Sequence, residues 1–243
     1  MVITIELFES VNLEGKYLIT GFHGIGVVGY IAIKYMIEQT RQTGTRKIGI
    51  VVSNLMPPFI SINDKGEAML PFELYLDEKN NLVYFVIRFQ PHPDEMRDFT
   101  KEIVSFMIAN KMKGLVLLGG LDQTFKPEDD EKGFRCVVMN GFPFENPPLI
   151  DPNLLISGGI AMLLIELQLR KVPSLTIFPY ADRDRPDMKA ASKAIKILND
   201  IFNTGIQTEK LLEEAKDLEK EANQILKQQG KENVNGENNN IYM

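Results

Sequence analysis

Four glycines, Gly21, Gly24, Gly26 and Gly29, lead from an apolar run at Lys16 to Thr20 into an apolar helical stretch at Val27 to Gln39. Glycines between a strand and a helix let backbone N–H groups approach an anion at the helix N-terminus, so phosphate binding is one reading of the loop. The spacing contains G-x-G-x-x-G at Gly24, Gly26 and Gly29. However, Ile50 to Ser53, where a dinucleotide-binding unit would end its second strand on an acidic residue, offers none. No Lys-Ser/Thr pair follows the glycines, so the loop is no P-loop either. The other reading is a tight turn with close packing of helix on sheet.

Other chemistry is sparse. His23 and His92 are the only histidines, and no serine lies in a G-x-S-x-G nucleophile elbow. Two histidines some 70 positions apart, without a ligand at metal spacing, make no metal site, and no cofactor is expected. Cys136 is the only cysteine. Mid-strand, it reads as an inert core thiol, and its solitude excludes an internal disulfide. The acidic clusters Glu128 to Glu131 and Asp182-Arg183-Asp184-Arg185 border Pro127 and Pro186 and read as solvated loops. Gly119-Gly120 and Gly158-Gly159 could edge a cleft with Gly21 to Gly29 at the carboxyl end of a sheet. No catalytic constellation assembles, and an enzyme is not expected.

The elements that would hold these residues follow from periodicity. Short apolar runs at Val2 to Phe8, Lys16 to Thr20, Lys47 to Ser53, Phe59 to Asn63, Met69 to Leu76 and Leu82 to Phe89 predict strands. The last two form a hairpin around the polar turn Asp77 to Asn81. Met96, Phe99, Ile103 and Phe106 share one helical face. Gly114 to Leu118 and Phe134 to Met139 have the unbroken apolar character of strands buried on both faces. Gly159 to Arg170 predicts a helix, Ser174 to Phe178 a strand, and Pro186 a first helical position ahead of Met188, Ala191, Ile195, Leu198 and Phe202. The consistent solution is an α/β body, a central sheet between helix layers, over residues 1–205.

Residues 206–229 read as an amphipathic helix whose Leu211, Ala215, Leu218, Ala222 and Ile225 fit either packing on the body or pairing between subunits. Residues 230–243 read as a flexible tail: 230–240 carry five Asn and a single apolar side chain before Ile241-Tyr242-Met243. The formal charge of −6, with no basic stripe, argues against a nucleic-acid partner. No apolar run reaches the ~20 residues of a membrane span, and the N-terminus has no basic n-region, so a cytoplasmic protein is expected.

The sequence Gly21-Phe22-His23-Gly24-Ile25-Gly26-Val27-Val28-Gly29 after a strand resembles the glycine loop of the proteasome assembly chaperone family. The same order continues with Phe89-Gln90-Pro91, Leu118-Gly119-Gly120, the helix opening Ile156-Ser157-Gly158-Gly159-Ile160-Ala161-Met162-Leu163-Leu164, and Val172-Pro173, so that the resemblance covers roughly residues 15 to 205. It implies an α/β/α layered sheet similar to the nucleoside phosphorylase-like fold, without that fold's catalysis. Ile241-Tyr242-Met243 is similar to the hydrophobic-tyrosine-any residue ending with which members dock between α-subunits of the 20S proteasome. Ile241 would fill the apolar pocket, Tyr242 would pack and hydrogen-bond, and the Met243 carboxylate would meet a lysine. The implied function is a homo-oligomeric assembly chaperone for 20S α-rings or an ATP-independent activator, with a tetramer favoured and a pentamer next. A three-residue anchor binds weakly alone, whereas several tethers on one oligomer act together. The alternatives are a nucleoside- or phosphate-binding enzyme of phosphorylase or hydrolase type, and an interaction module acting through 207–229.

Overall fold

The computed structural model describes residues 3–63 and 66–213. Eleven strands and four α-helices fall in these ranges: β1 Thr4–Leu7, β2 Tyr17–Gly21, α1 Val28–Thr40, β3 Arg46–Val52, β4 Ser61–Ile62, β5 Ala68–Met69, β6 Phe72–Asp77 and β7 Leu82–Ile87, followed by α2 Met96–Ala109, β8 Gly114–Leu118, β9 Leu121–Asp122, β10 Phe134–Met139, α3 Gly158–Leu169, β11 Ser174–Ala181 and α4 Met188–Phe202. The main sheet runs β1-β3-β6-β7-β2-β8-β11-β10, with β9 on the end of β11. β7, β2, β8 and β11 are mutually parallel, while β1, β3, β6 and β10 join antiparallel. This is a mixed α/β fold.

Alternation along the strands divides the core in two. On β8, Leu115 and Leu117 face the layer holding α2 and α3, and Val116 and Leu118 face the layer holding α1 and α4. Strands covered on both faces bury nearly all their side chains, which is why β7 and β8 read as continuous apolar runs. Each fully buried Leu or Ile contributes roughly 1.5–3 kcal/mol. The β6–β7 hairpin closes through Asp77, whose carboxylate accepts from the Tyr84 hydroxyl at 3.1 Å and the Asn80 N–H at 3.1 Å. Among the described residues no helix is long and apolar enough to cross a membrane.

Several expected elements differ. β10 is not buried on both faces: it is the sheet's last strand, and Arg135, Val137, Val138 and Met139 are only half-buried. Only Ser61–Ile62 of the run Phe59 to Asn63 is strand, paired with Ala68–Met69 in a separate two-stranded ladder. The run Met69 to Leu76 breaks at Leu70-Pro71, because proline has no N–H for the ladder. Pro186 lies before α4 rather than in its first turn. Asp187 is the N-cap, its carboxylate accepting from the Ala190 N–H at 2.9 Å. After α4 the chain stays on the body: Ile206 and Leu211 are buried in the α1/α4 core, and the Tyr35 hydroxyl donates to the Gln207 carbonyl at 3.0 Å. Residues 209–213 are helical. The remainder of the expected 206–229 helix and the 230–243 tail lie outside the described residues.

Candidate functional site

The glycine loop sits where β2 ends and α1 begins, at the carboxyl end of the parallel strands. A Cβ on Gly21 would lie 2.7 Å from the Gly29 Cα and 2.7 Å from the Leu118 carbonyl oxygen, and one on Gly29 would lie 2.6 Å from that oxygen. Strand and helix therefore touch backbone to backbone, with β8 as the third party. Gly24 differs, since an added Cβ would meet nothing within 4 Å.

Gly26 (φ 63°) and Val27 (φ 51°) are both left-handed. For a β-branched valine that conformation is strained. The Asp187 N–H donates to the Gly26 carbonyl at 2.8 Å, and Asp187 also accepts from the Asp182 N–H at 3.0 Å. One aspartate thus caps α4, holds the glycine turn and orders the acidic loop. Gly119-Gly120 and Gly158-Gly159 do come to this junction. A Cβ on Gly120 would lie 2.2 Å from the Ile25 carbonyl oxygen and one on Gly159 2.6 Å from the Phe22 ring.

His23 lies in the loop half-buried, its ring 4.8 Å from that of Tyr30. Burial lowers its pKa, and a backbone interaction at Ile87 only partly offsets this. Its buried Nε2 has no hydrogen-bond partner. His92 stands elsewhere on an exposed turn, Nδ1 accepting from the Asp94 N–H at 3.3 Å. Cys136 is fully buried, and burial pushes its thiol up to about 11, so the reactive thiolate is suppressed. The acidic clusters are tied locally: Asp130 to Arg135 at 2.7 Å and Asp182 to Arg185 at 2.7 Å. Among the described residues no group of three or more His, Cys, Asp or Glu side chains could hold a metal. Ile241, Tyr242 and Met243 lie outside the described residues.

A second cluster escaped the sequence reading. Glu73, fully buried, receives Arg88 Nη2 at 2.7 Å, Lys47 Nζ at 2.5 Å, the Tyr75 hydroxyl at 2.9 Å and the Leu70 N–H at 3.1 Å. Burial alone would raise its carboxyl, but the hydrogen bonds from Lys47, Arg88 and the Leu70 N–H, with the Arg88 charge, together outweigh burial and hold it below the usual range. Burial, with the Glu73 charge beside it, raises Tyr75 to about 12. The signal was a charge, Glu73, inside one apolar run of the hairpin and a charge, Arg88, at the end of the other. Glu73 pairs with Val86, which puts Arg88 two residues along on the same face.

Comparison with known proteins places this arrangement. A family model described as the PAC2 family matches residues 18–226, most of the chain. The chain belongs to the PAC2 family. The resemblance read from the glycine loop agrees with that match. No curated protein matches the chain. Among solved structures, this PAC2 protein is similar to Pyrococcus furiosus PbaA, an archaeal homolog of proteasome-assembly chaperone, at TM-score 0.76 and 21% identity over 96% of each chain. It is similar to Pyrococcus furiosus PbaB, an archaeal proteasome activator, at 0.72 and 20% over 92% of this chain and 98% of that one. A Thermoplasma acidophilum protein follows at 0.70 and 20%, covering 93% and 92%. At these identities the likeness establishes the fold.

Proposed function

We propose that this PAC2 protein is a non-enzymatic, homo-oligomeric proteasome-binding protein, an assembly chaperone for 20S α-rings or an ATP-independent activator. The observation that carries the reading is the near end-to-end likeness to PbaA and PbaB, one a homolog of proteasome-assembly chaperone and the other a proteasome activator. The helix layers on either side of the sheet fit a nucleoside phosphorylase-like architecture used for binding rather than catalysis. Two features support a non-enzymatic body: at Gly21 and Gly29 the space in the glycine loop is taken by backbone, and Cys136 is buried with its thiol protonated.

Docking is assigned to the chain end, Ile241 entering an apolar pocket, Tyr242 packing beside it and the Met243 carboxylate pairing with a lysine. An aromatic ring between apolar neighbours after a polar stretch is costly to leave in water and is suited to a pocket. Residues 230–243 reach at most about 45–50 Å when extended, so the oligomer, a tetramer or next a pentamer, sits directly over the ring.

The test is co-purification with 20S proteasome or free α-subunits. Tyr242→Ala should abolish it while Tm and oligomeric state stay at wild-type values. Residues appended after Met243 should weaken it by displacing the carboxylate. Binding by Tyr242→Ala equal to wild type would overturn the docking assignment.

A further inference from the structure

Helix α3 is apolar on both sides. Its inner side packs into the core through Ile160, Leu163, Leu164 and Leu167. Its outer side carries Ala161, Met162, Ile165 and Leu169 at spacings of three and four, with Ile165 51% and Leu169 69% exposed. Leu155, two residues ahead of the N-cap Ser157, is 96% exposed. The only charge from Gly158 to Leu169 is Glu166, which is buried and paired with Arg170 at 3.6 Å. A helix on the surface of a globular body turns a polar face to water, as α4 does with exposed Lys189, Lys196 and Asp200; one that is apolar all round is covered.

The face extends onto α2. Arg170 Nη1 donates to Ser105 Oγ at 3.1 Å, and one turn beyond Ser105 stands Ile108, 48% exposed. Helices of 12 and 14 residues packed roughly 8–10 Å apart present a face of about 20 Å by 20 Å. That is on the order of 400 Å² in plan and more once side-chain relief is counted, against ~800 Å² per partner in a standard interface, so the face suits a specific contact of the smaller kind. Opposite charges bound the apolar stripe. Asp151 is exposed at its N-terminal end and Lys171 at its C-terminal end, and neither is ion-paired within the described residues. A stripe with an acid at one end and a base at the other is its own complement when turned end for end. Antiparallel pairing of two such stripes about an axis near Met162 sets Leu155 of one copy against Leu169 of the other, brings Asp151 to Lys171, and places no like charges face to face.

We infer that the outer face of α3 is a self-association surface, on which a second copy of the chain packs α3 against α3 about a two-fold axis. The inference rests on the homo-oligomeric reading above and sharpens it. An isologous contact of this kind builds dimers and tetramers made of two dimers, and it does not close a ring of five.

The experiment is sedimentation of the full chain over a range of micromolar concentrations. Wild type should show an even number of subunits. Ile165→Glu and, separately, Leu169→Glu should each lower the mass at least twofold at the same concentration, with the far-UV circular dichroism of the wild type; both positions are exposed, so the charge stays outside the core. Met162→Cys should oxidise to a covalent dimer, whereas Lys34→Cys, exposed on α1, should not; buried Cys136 does not compete. The cysteine arm decides even if a glutamate variant fails to fold. A pentamer, or an oligomer that both glutamate variants leave at wild-type mass, would overturn the inference while the homo-oligomeric reading stands. A wild type that is monomeric throughout would overturn both. Failure of wild type to bind 20S proteasome with the α3 contact intact would overturn the proteasome-binding reading alone.

Discussion

The glycine junction and the Glu73 cluster lie on the same sheet and solve opposite problems. At the junction, main chain meets main chain at Gly21, Gly29 and Leu118, and no side chain is present to adjust. In the cluster, the long charged side chains of Lys47 and Arg88 converge on one buried carboxylate. The first arrangement tolerates only one geometry because backbone atoms cannot move aside. The second is held by charge pairing, and it leaves the buried Arg88 Nε without a partner.

Replacing the anchor should have the largest effect. Glu73→Ala strands Arg88 and Lys47 beside a buried face, and removing one partner of a buried ion pair costs about 3–5 kcal/mol. Urea unfolding should show it. The wild type should also lose stability in acid through this group. Because its folded pKa is lowered, its contribution is present above the ordinary value of 4.5 and fades as pH falls through the folded one. An acid-unfolding profile unchanged by Glu73→Gln would contradict the anchoring role.

Gly29→Ala comes next. In an ordinary helix interior the change stabilises by about 1 kcal/mol. Here the methyl group meets the Leu118 carbonyl, so a net loss of about 2–3 kcal/mol is expected. A rise in Tm would mean that the junction yields. His23→Gln should have a smaller effect, seen mainly in pH dependence. With the folded pKa lowered by burial, neutral His23 favours the native state above pH 6.5, and this contribution is lost as pH drops toward the folded value. The variant should flatten stability between about pH 7 and 5 by at most one proton's worth of slope. Gly24→Ala, with open space around it, should stay within about 0.5 kcal/mol, which marks Gly24 off from Gly21 and Gly29 in the same loop.

Those contrasts bear on what could be read from the residues alone. The parallel strands and the three-four rhythm of α2 and α4 were legible, because burial on two faces and burial on one stripe leave different periodicities. Strand neighbours were not. Phe134 to Met139 has an apolar composition suited to the centre of a sheet, yet composition does not say on how many sides a strand is paired. The segment between β3 and β6 was overread as strand because apolar residues there, such as Phe59 and Ile60, are exposed. At the candidate sites, glycine spacing located the junction, but the loop's backbone partner is a carbonyl nearly 90 residues further on, at Leu118. Glu73 and Arg88 were hidden because each is a single charge within or beside an apolar run, and only the hairpin register puts them together.

The hydrogen bond from Asp187 to the Gly26 carbonyl has a consequence for the order in which the protein is made. The turn that opens α1 contains two left-handed residues, and the residue that holds it stands at the head of α4, near the end of the body. During synthesis the first strand-turn-helix unit leaves the ribosome long before its latch exists. The β2 strand likewise waits for both of its neighbours, β7 and β8. With such distant contacts, loop closure must precede the gain from pairing, which slows folding. The turn that opens α1 therefore gains its Asp187 hydrogen bond only after the head of α4 has been made.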